Sequence, residues 1–330
     1  MSKVHKTFLA VFFMIIFSFL LLEIFLRITD PLGVEYFSEV VRYFNKLEKK
    51  ENYSYIHPIG MNEKFQNVFI KTNSFGLRGQ EFTKSKPLNT KRLLILGDSV
   101  VLGWGVDYEN TFSRLLQTQL EKEQTNIEVI PIGVSSWNTR TEYEYFSRVA
   151  IDFDPDILLL IIVGNDTDPK DNSNIEIGKE ILEKLVYRPP INQNIFKKTW
   201  FKLVDSSYFF RHIQYGIKIL TEKDKNLNAN QQDMTWQDSC LALQKMIKLC
   251  EENKILFMPF LYTDEESSYK SIFSLYRNFF IENKISFRTF PTYLFSELRY
   301  RNSIVDNHPN SEGHKIIAEI IYQNLQMISY

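Results

Sequence analysis

The sequence predicts an α/β domain with a doubly wound, flavodoxin-like parallel sheet of about five strands and helices on both faces, preceded by an N-terminal transmembrane helix. Three observations predict it. From residue 91 onward, short apolar runs alternate with segments of helical periodicity, the pattern of successive βαβ units. Residues 157–163 are apolar without interruption, as a central parallel strand covered on both faces requires. At the other end, residues 8–22 are apolar apart from Ser18, and residues 24–26 continue the run beyond Glu23, reaching the roughly 20 residues that span a bilayer.

Residues 1–30 are the expected membrane anchor. A buried core helix would carry one apolar stripe, whereas this segment is apolar on every face. A cleaved signal peptide needs small residues at its cleavage site, and residues 20–28 contain none. Lys3, His5 and Lys6 favour a cytoplasmic N-terminus, against Arg27 and Arg42 on the far side. The expected location is therefore the cell membrane, single-pass, with the domain that follows outside the cytoplasm. Residues 31–90 form an extension. Within it Tyr36, Phe37, Val40, Val41, Phe44 and Leu47 recur at helical spacing, an amphipathic helix suited to the membrane surface or to the protein body. Residues 53–81 are mixed, with turn signals at 73–76 and at Gly79.

Residues 91–330 are the expected α/β domain. Strands are expected at 92–96, 127–132, 157–163, 255–261 and 286–290, and helices at 112–120, 142–151, 239–253, 272–283 and 312–325. The stretch of about 167–235 breaks the alternation. It is polar at both ends and holds aromatic clusters at Trp200, Phe201 and Tyr208 to Phe210. It reads as an insertion over the strand ends, where open α/β sheets bind ligands.

Lys+Arg and Asp+Glu number 39 and 40, which leaves no basic excess for nucleic acid. Cys240 and Cys250 fall on one expected helix, about 15 Å apart along its axis and far beyond bridging distance. Without a CxxC or Cys/His cluster, a structural zinc site is not expected; no other metal and no organic cofactor is expected either.

Polar residues interrupt the chain where strands end: Asp98 and Ser99 after the first, Gly133 after the second, Asn165 and Asp166 after the third. The C-terminal ends of parallel strands converge on one crevice. Asp306, His308 and His314 cluster near the end of the chain around Pro309 and Gly313. A hydroxyl, an imidazole, a carboxylate, an amide and a glycine N–H suffice for nucleophilic acyl transfer.

Leu96-Gly97-Asp98-Ser99 resembles the first block of the SGNH (GDSL-type) serine hydrolases. Gly133 resembles the second block, Gly164-Asn165-Asp166 the third, and Asp306-Asn307-His308-Pro309-Asn310 with Gly313-His314 the last. Leu22-Glu23, Leu26-Arg27 and the run from Asn73 to Gly79 are similar to a membrane-anchored subgroup. The resemblance implies Ser99 as nucleophile, His308 as general base and Asp306 as the acid that orients it. It also implies an oxyanion hole of the Ser99 and Gly133 N–H groups and the Asn165 side chain. Acyl esters are the implied substrates, acetyl esters of envelope carbohydrate among them, with either water or a sugar hydroxyl as acceptor. The alternative is an inactive glycan-binding or assembly domain. Two positions depart from the family pattern: one residue rather than two separates Asp306 from His308, and Pro131 stands where an asparagine often precedes the block-two glycine. Residues two apart in extended chain share a face, and Pro309 biases His308 toward that conformation. Asp98, Asp166 and His314 are expected to be structural. His57 and His212 resemble ordinary surface or half-buried histidines.

Overall fold

The parallel sheet is present and has five strands. The computed structural model describes residues 3–31, 33–50, 55–164, 166, 199, 203–204, 206–221, 229–262 and 270–327. The N-terminal part contains α1 (Lys3–Thr29), α2 (Val34–Phe44), β1 (Glu48–Lys49), β2 (Tyr55–Ile56) and the hairpin β3 (Asn62–Phe65) and β4 (Val68–Lys71). The sheet region begins with β5 (Lys91–Gly97), α3 (Ser99–Leu102), α4 (Phe112–Lys122), β6 (Ile127–Gly133), α5 (Thr139–Arg148) and β7 (Ile157–Ile162). The chain continues through α6 (Tyr208–Thr221), α7 (Ala229–Glu252), β8 (Leu256–Leu261) and α8 (Lys270–Glu282). The last elements are β9 (Arg288–Thr289), α9 (Tyr293–Ser296) and α10 (Ser311–Gln326).

The strand order is β6-β5-β7-β8-β9, with every neighbouring pair parallel. This is the flavodoxin-like order, whose crevice opens beside β5, where the winding direction reverses. All six residues of β7 are buried, because helices cover both faces of a central parallel strand. Leu93, Ile95, Leu159 and Ile161 share a cluster with Leu116 and Leu120 of α4 and Ile317 and Ile321 of α10. Leu94, Leu96, Leu158 and Leu160 alternate to the opposite face and are equally buried. Right-handed crossovers place α5 on that second face.

The chain divides into two compact units, residues 1–41 with 179–226 and residues 42–178 with 227–330. The first contains α1, whose residues 4–29 are long and apolar enough to cross a membrane. The second contains the sheet.

Element ends differ from the sequence expectation where caps decide them. Helix α5 starts at Thr139 rather than 142 because Asn138 Oδ1 accepts the Thr141 N–H at 3.0 Å. The α2 helix stops at Phe44, and Leu47 is buried beyond it. Strand β9 spans two residues, since only Phe260 and Leu261 of β8 pair with it. Helix α7 begins at Ala229, ten residues before the apolar periodicity that marks its packed half.

Candidate active site

Strand β5 ends at Gly97 and the chain turns at once into α3. Asp98 caps that helix, its Oδ1 accepting the Val100 N–H at 2.9 Å, and this puts Ser99 in the first turn at the C-terminal edge of the sheet. Gly133, the last residue of β6, stands in register with Gly97. A Cβ at Gly133 would collide with the backbone of Asp98, Val101 and Leu102. Glycine therefore lets β6 close against the helix that carries Ser99.

The far end of α3 is held by Arg78. Its guanidinium donates to the carbonyls of Leu102, Gly103, Val106 and Phe69 at 2.8–3.0 Å. Asn73 organises the turn that delivers it, accepting the N–H groups of Phe75 and Leu77. Burial pushes the Arg78 pKa down to about 10, opposed by the charge of Asp107, so the group stays cationic at neutral pH. Thus the motif from Asn73 to Gly79 braces the loop that follows Ser99.

Ser99 Oγ lies 2.8 Å from His308 Nε2, and His308 Nδ1 lies 2.5 Å from Asp306 Oδ1. The short Asp306–His308 spacing is accommodated differently from the extended pairing expected of the sequence. Asp306 Oδ1 also accepts the His308 backbone N–H at 3.1 Å, which makes the segment an Asx turn. Ser303 Oγ accepts the Asp306 N–H and Asn302 N donates to His308 O, closing the loop around the pair. Burial lowers the basicity of the His308 imidazole, but the charge and hydrogen bond of Asp306, with the charge of Asp98, outweigh it. The net shift is upward from the ordinary histidine value.

Asp98 does more than hold the turn. Its Oδ2 lies 3.0 Å from Ser99 Oγ, so the hydroxyl sits between a carboxylate and the imidazole. Burial pushes the Asp98 carboxyl up, against the Val100 N–H, the His308 charge and the Ser99 hydroxyl.

Asn302 is the residue that sequence reasoning missed. Its Nδ2 donates to Asp306 Oδ2 at 3.1 Å and to Trp104 O at 2.9 Å. It joins the acid of the Asp306–His308 pair to the loop after Ser99. Gly105, at φ 76°, lies against the same amide, and a Cβ there would strike it. Four residues before Asp306, in a stretch without periodicity or motif, Asn302 carried no signal in the sequence.

Asn165 lies outside the described residues. Beside it, Asp166 is buried; its carboxylate accepts the Val163 N–H and its carbonyl accepts Ser239 Oγ at 3.0 Å. His314 is buried and takes the Phe112 N–H on Nδ1 at 3.0 Å, so it holds the start of α4, the structural role expected of it. Burial drives its pKa down to about 3, helped by the charges of Arg78 and His308. His57, expected at or near the surface, is instead fully buried between Tyr43 OH at 2.7 Å and Gly76 O at 3.2 Å. His212 is also buried, its Nδ1 2.7 Å from Tyr208 O. Glu142 is buried with no hydrogen-bond partner for either carboxylate oxygen among the described residues. Burial, then the charges of Asp166 and Asp98, push its carboxyl well above the ordinary value. Among the described residues, no group of three or more His, Cys, Asp or Glu side chains is placed to hold a metal ion.

A hydroxyl, an imidazole and a carboxylate in relay, at the strand ends of a parallel sheet, are the geometry that nucleophilic acyl transfer requires. Solved structures of similar chain course include the psychrotrophic esterase EstA from Pseudoalteromonas sp. It is 14% identical, covers 72% of this chain and 97% of that one, and has a TM-score of 0.43. A GDSL-like lipase from Bacteroides thetaiotaomicron is 12% identical over 73% of this chain and 91% of its own, with a TM-score of 0.39. The acetyl xylan esterase AlAXEase is 12% identical over 71% and 99%, with a TM-score of 0.42. No protein-family model matches the chain, and neither does any curated protein sequence.

Proposed function

We propose that the chain is an SGNH-type serine esterase or O-acyltransferase that works through a Ser99 acyl-enzyme. One observation carries the reading: Ser99 Oγ, His308 and Asp306 form an unbroken hydrogen-bonded relay at 2.8 and 2.5 Å. With Nδ1–H donated to Asp306, Nε2 presents its lone pair to the Ser99 hydroxyl. Ser99 Oγ attacks the ester carbonyl as its proton passes to Nε2, and Asp306 stabilises the imidazolium that forms. The oxyanion is received by the N–H groups of Ser99 and Gly133 and the side-chain amide of Asn165. A single such donor is worth about 10²–10³ in rate. His308 then returns its proton to the departing alcohol. Water or a second hydroxyl, activated by the same imidazole, releases the acyl group.

The alternative, an inert glycan-binding domain, draws only on the short Asp306–His308 spacing; the Asx turn that pairs the two side chains supports the active reading. The proposed substrates are acyl esters, above all acetyl esters of envelope carbohydrate, reached by a domain that α1 tethers outside the cytoplasmic membrane. Labelling with a fluorophosphonate tests the core of the proposal. Covalent mass on the Ser99 peptide, absent in Ser99→Ala, is expected. A folded protein whose Ser99 stays unlabelled would overturn it. Measuring acetate release from acetylated sugars against acetyl transfer between sugars then separates hydrolysis from transfer.

A further inference from the structure

The acidic residue inside the apolar segment has an unexpected environment. Glu23 accepts hydrogen bonds from Ser207 Oγ at 2.8 Å, Tyr208 N at 2.8 Å and Phe209 N at 3.0 Å, and from Arg27 Nε at 2.9 Å. The first three donors form the N-terminus of α6, where a carboxylate is favoured by unpaired N–H groups and the helix dipole. Arg27 reinforces the junction from the anchor side. Its guanidinium lies 4.6 Å from the Tyr208 ring centroid and donates to Ser206 O at 3.3 Å. One turn further back along α1, Phe19 meets Phe209 edge-to-face at 5.3 Å and Phe210 at 6.3 Å.

These contacts set a depth. If Arg27 marks the hydrocarbon boundary, the eight residues back to Phe19 place that ring about 12 Å inside, at 1.5 Å per residue. Glu23 then lies about 6 Å inside, a position where a carboxylate is costly unless paired. Its four donors supply that pairing, and its side chain is only 12% exposed. Rings that touch Phe19 share its depth.

We infer that the turn at Ser206–Phe210 is a second membrane-contacting element, docked on α1 through Glu23, with Phe209 and Phe210 in contact with lipid acyl chains. The inference rests on α1 being a bilayer span and is independent of the Ser99 chemistry. The insertion thereby meets the membrane at a point fixed by the anchor itself, and Glu23 is the latch between them.

The test uses the full-length wild-type chain in phosphatidylcholine nanodiscs that carry a phospholipid with a diazirine on its acyl chain. After illumination, carbene adducts are mapped by peptide mass spectrometry. Adducts on α1 and also on the peptide containing residues 206–213 are the expected result. In Glu23→Ala the adducts on residues 206–213 should fall at least about fivefold while those on α1 persist. Adducts on wild-type α1 alone would overturn the inference and leave the anchor standing. Adducts on neither would remove the anchor reading and the inference with it.

Discussion

Replacing Asn302 by alanine probes the linkage between Asp306, the acid of the proposed triad, and the loop after Ser99. Asn302 Nδ2 is the donor to Asp306 Oδ2, and Asp306 is only 3% exposed, so water does not readily take its place. A hydrogen bond to a charged group is worth about 1.5–3 kcal/mol. Asp306 is ionised whether the imidazole is neutral or protonated, so the loss acts on turnover through the position of the carboxylate that orients and stabilises the imidazolium. At about 1.36 kcal/mol per decade, kcat should drop roughly 10- to 150-fold with KM little changed. Asn302→Asp should be worse than alanine, because it sets a second carboxylate beside Asp306. The assay is steady-state hydrolysis of p-nitrophenyl acetate, paired with thermal unfolding to show that the fold survives. An Asn302→Ala enzyme within about threefold of wild type in kcat, with wild-type melting, would refute the role.

Three further outcomes are expected. His308 must be neutral to act as base and its pKa is raised, so kcat/KM should climb through an acid limb centred above the ordinary histidine value of about 6.5. Asp306→Asn should lower that midpoint as well as the plateau, and an unmoved midpoint would count against the pairing. For stability the sign runs the other way: the raised His308 pKa contributes fully below about 6.5 and is lost as pH rises through the folded value. Gly133→Ala should destabilise by about 1–3 kcal/mol in chemical denaturation and cut turnover, since its methyl meets the backbone of the helix bearing Ser99. Glu142→Gln should raise the melting temperature at neutral and higher pH. A carboxyl whose folded pKa is raised favours the native state below its unfolded pKa and loses that contribution as pH rises. Equal melting of Glu142→Gln and wild type at pH 8 would refute the buried acid.

Much of this protein was legible in its residues because local composition dictated it. The unbroken run that became β7 could only be a strand covered on both sides, and β5, β6 and β8 followed from the same alternation. The meeting of Ser99, His308 and Asp306 was foreseeable because they stand in ordered motifs at chain reversals. At Asp306 an Asx turn, rather than the extended geometry expected, brings carboxylate and ring together.

Other features depended on partners far away in sequence, and periodicity carries no information about those. Asn302 and Trp104 are separated by 198 residues, and Arg78 reaches Gly103 across 25. The burial of His57 and of the Glu142 carboxylate likewise arises only once the layers close. The sequence by itself determined the alternation of elements, the apolar N-terminal helix and the turn at Ser99, since each is encoded within a few neighbouring residues. Tertiary structure alone decided which distant groups satisfy the buried polar atoms around Ser99, because hydrogen-bond partners are chosen by proximity in space after the sheet has folded.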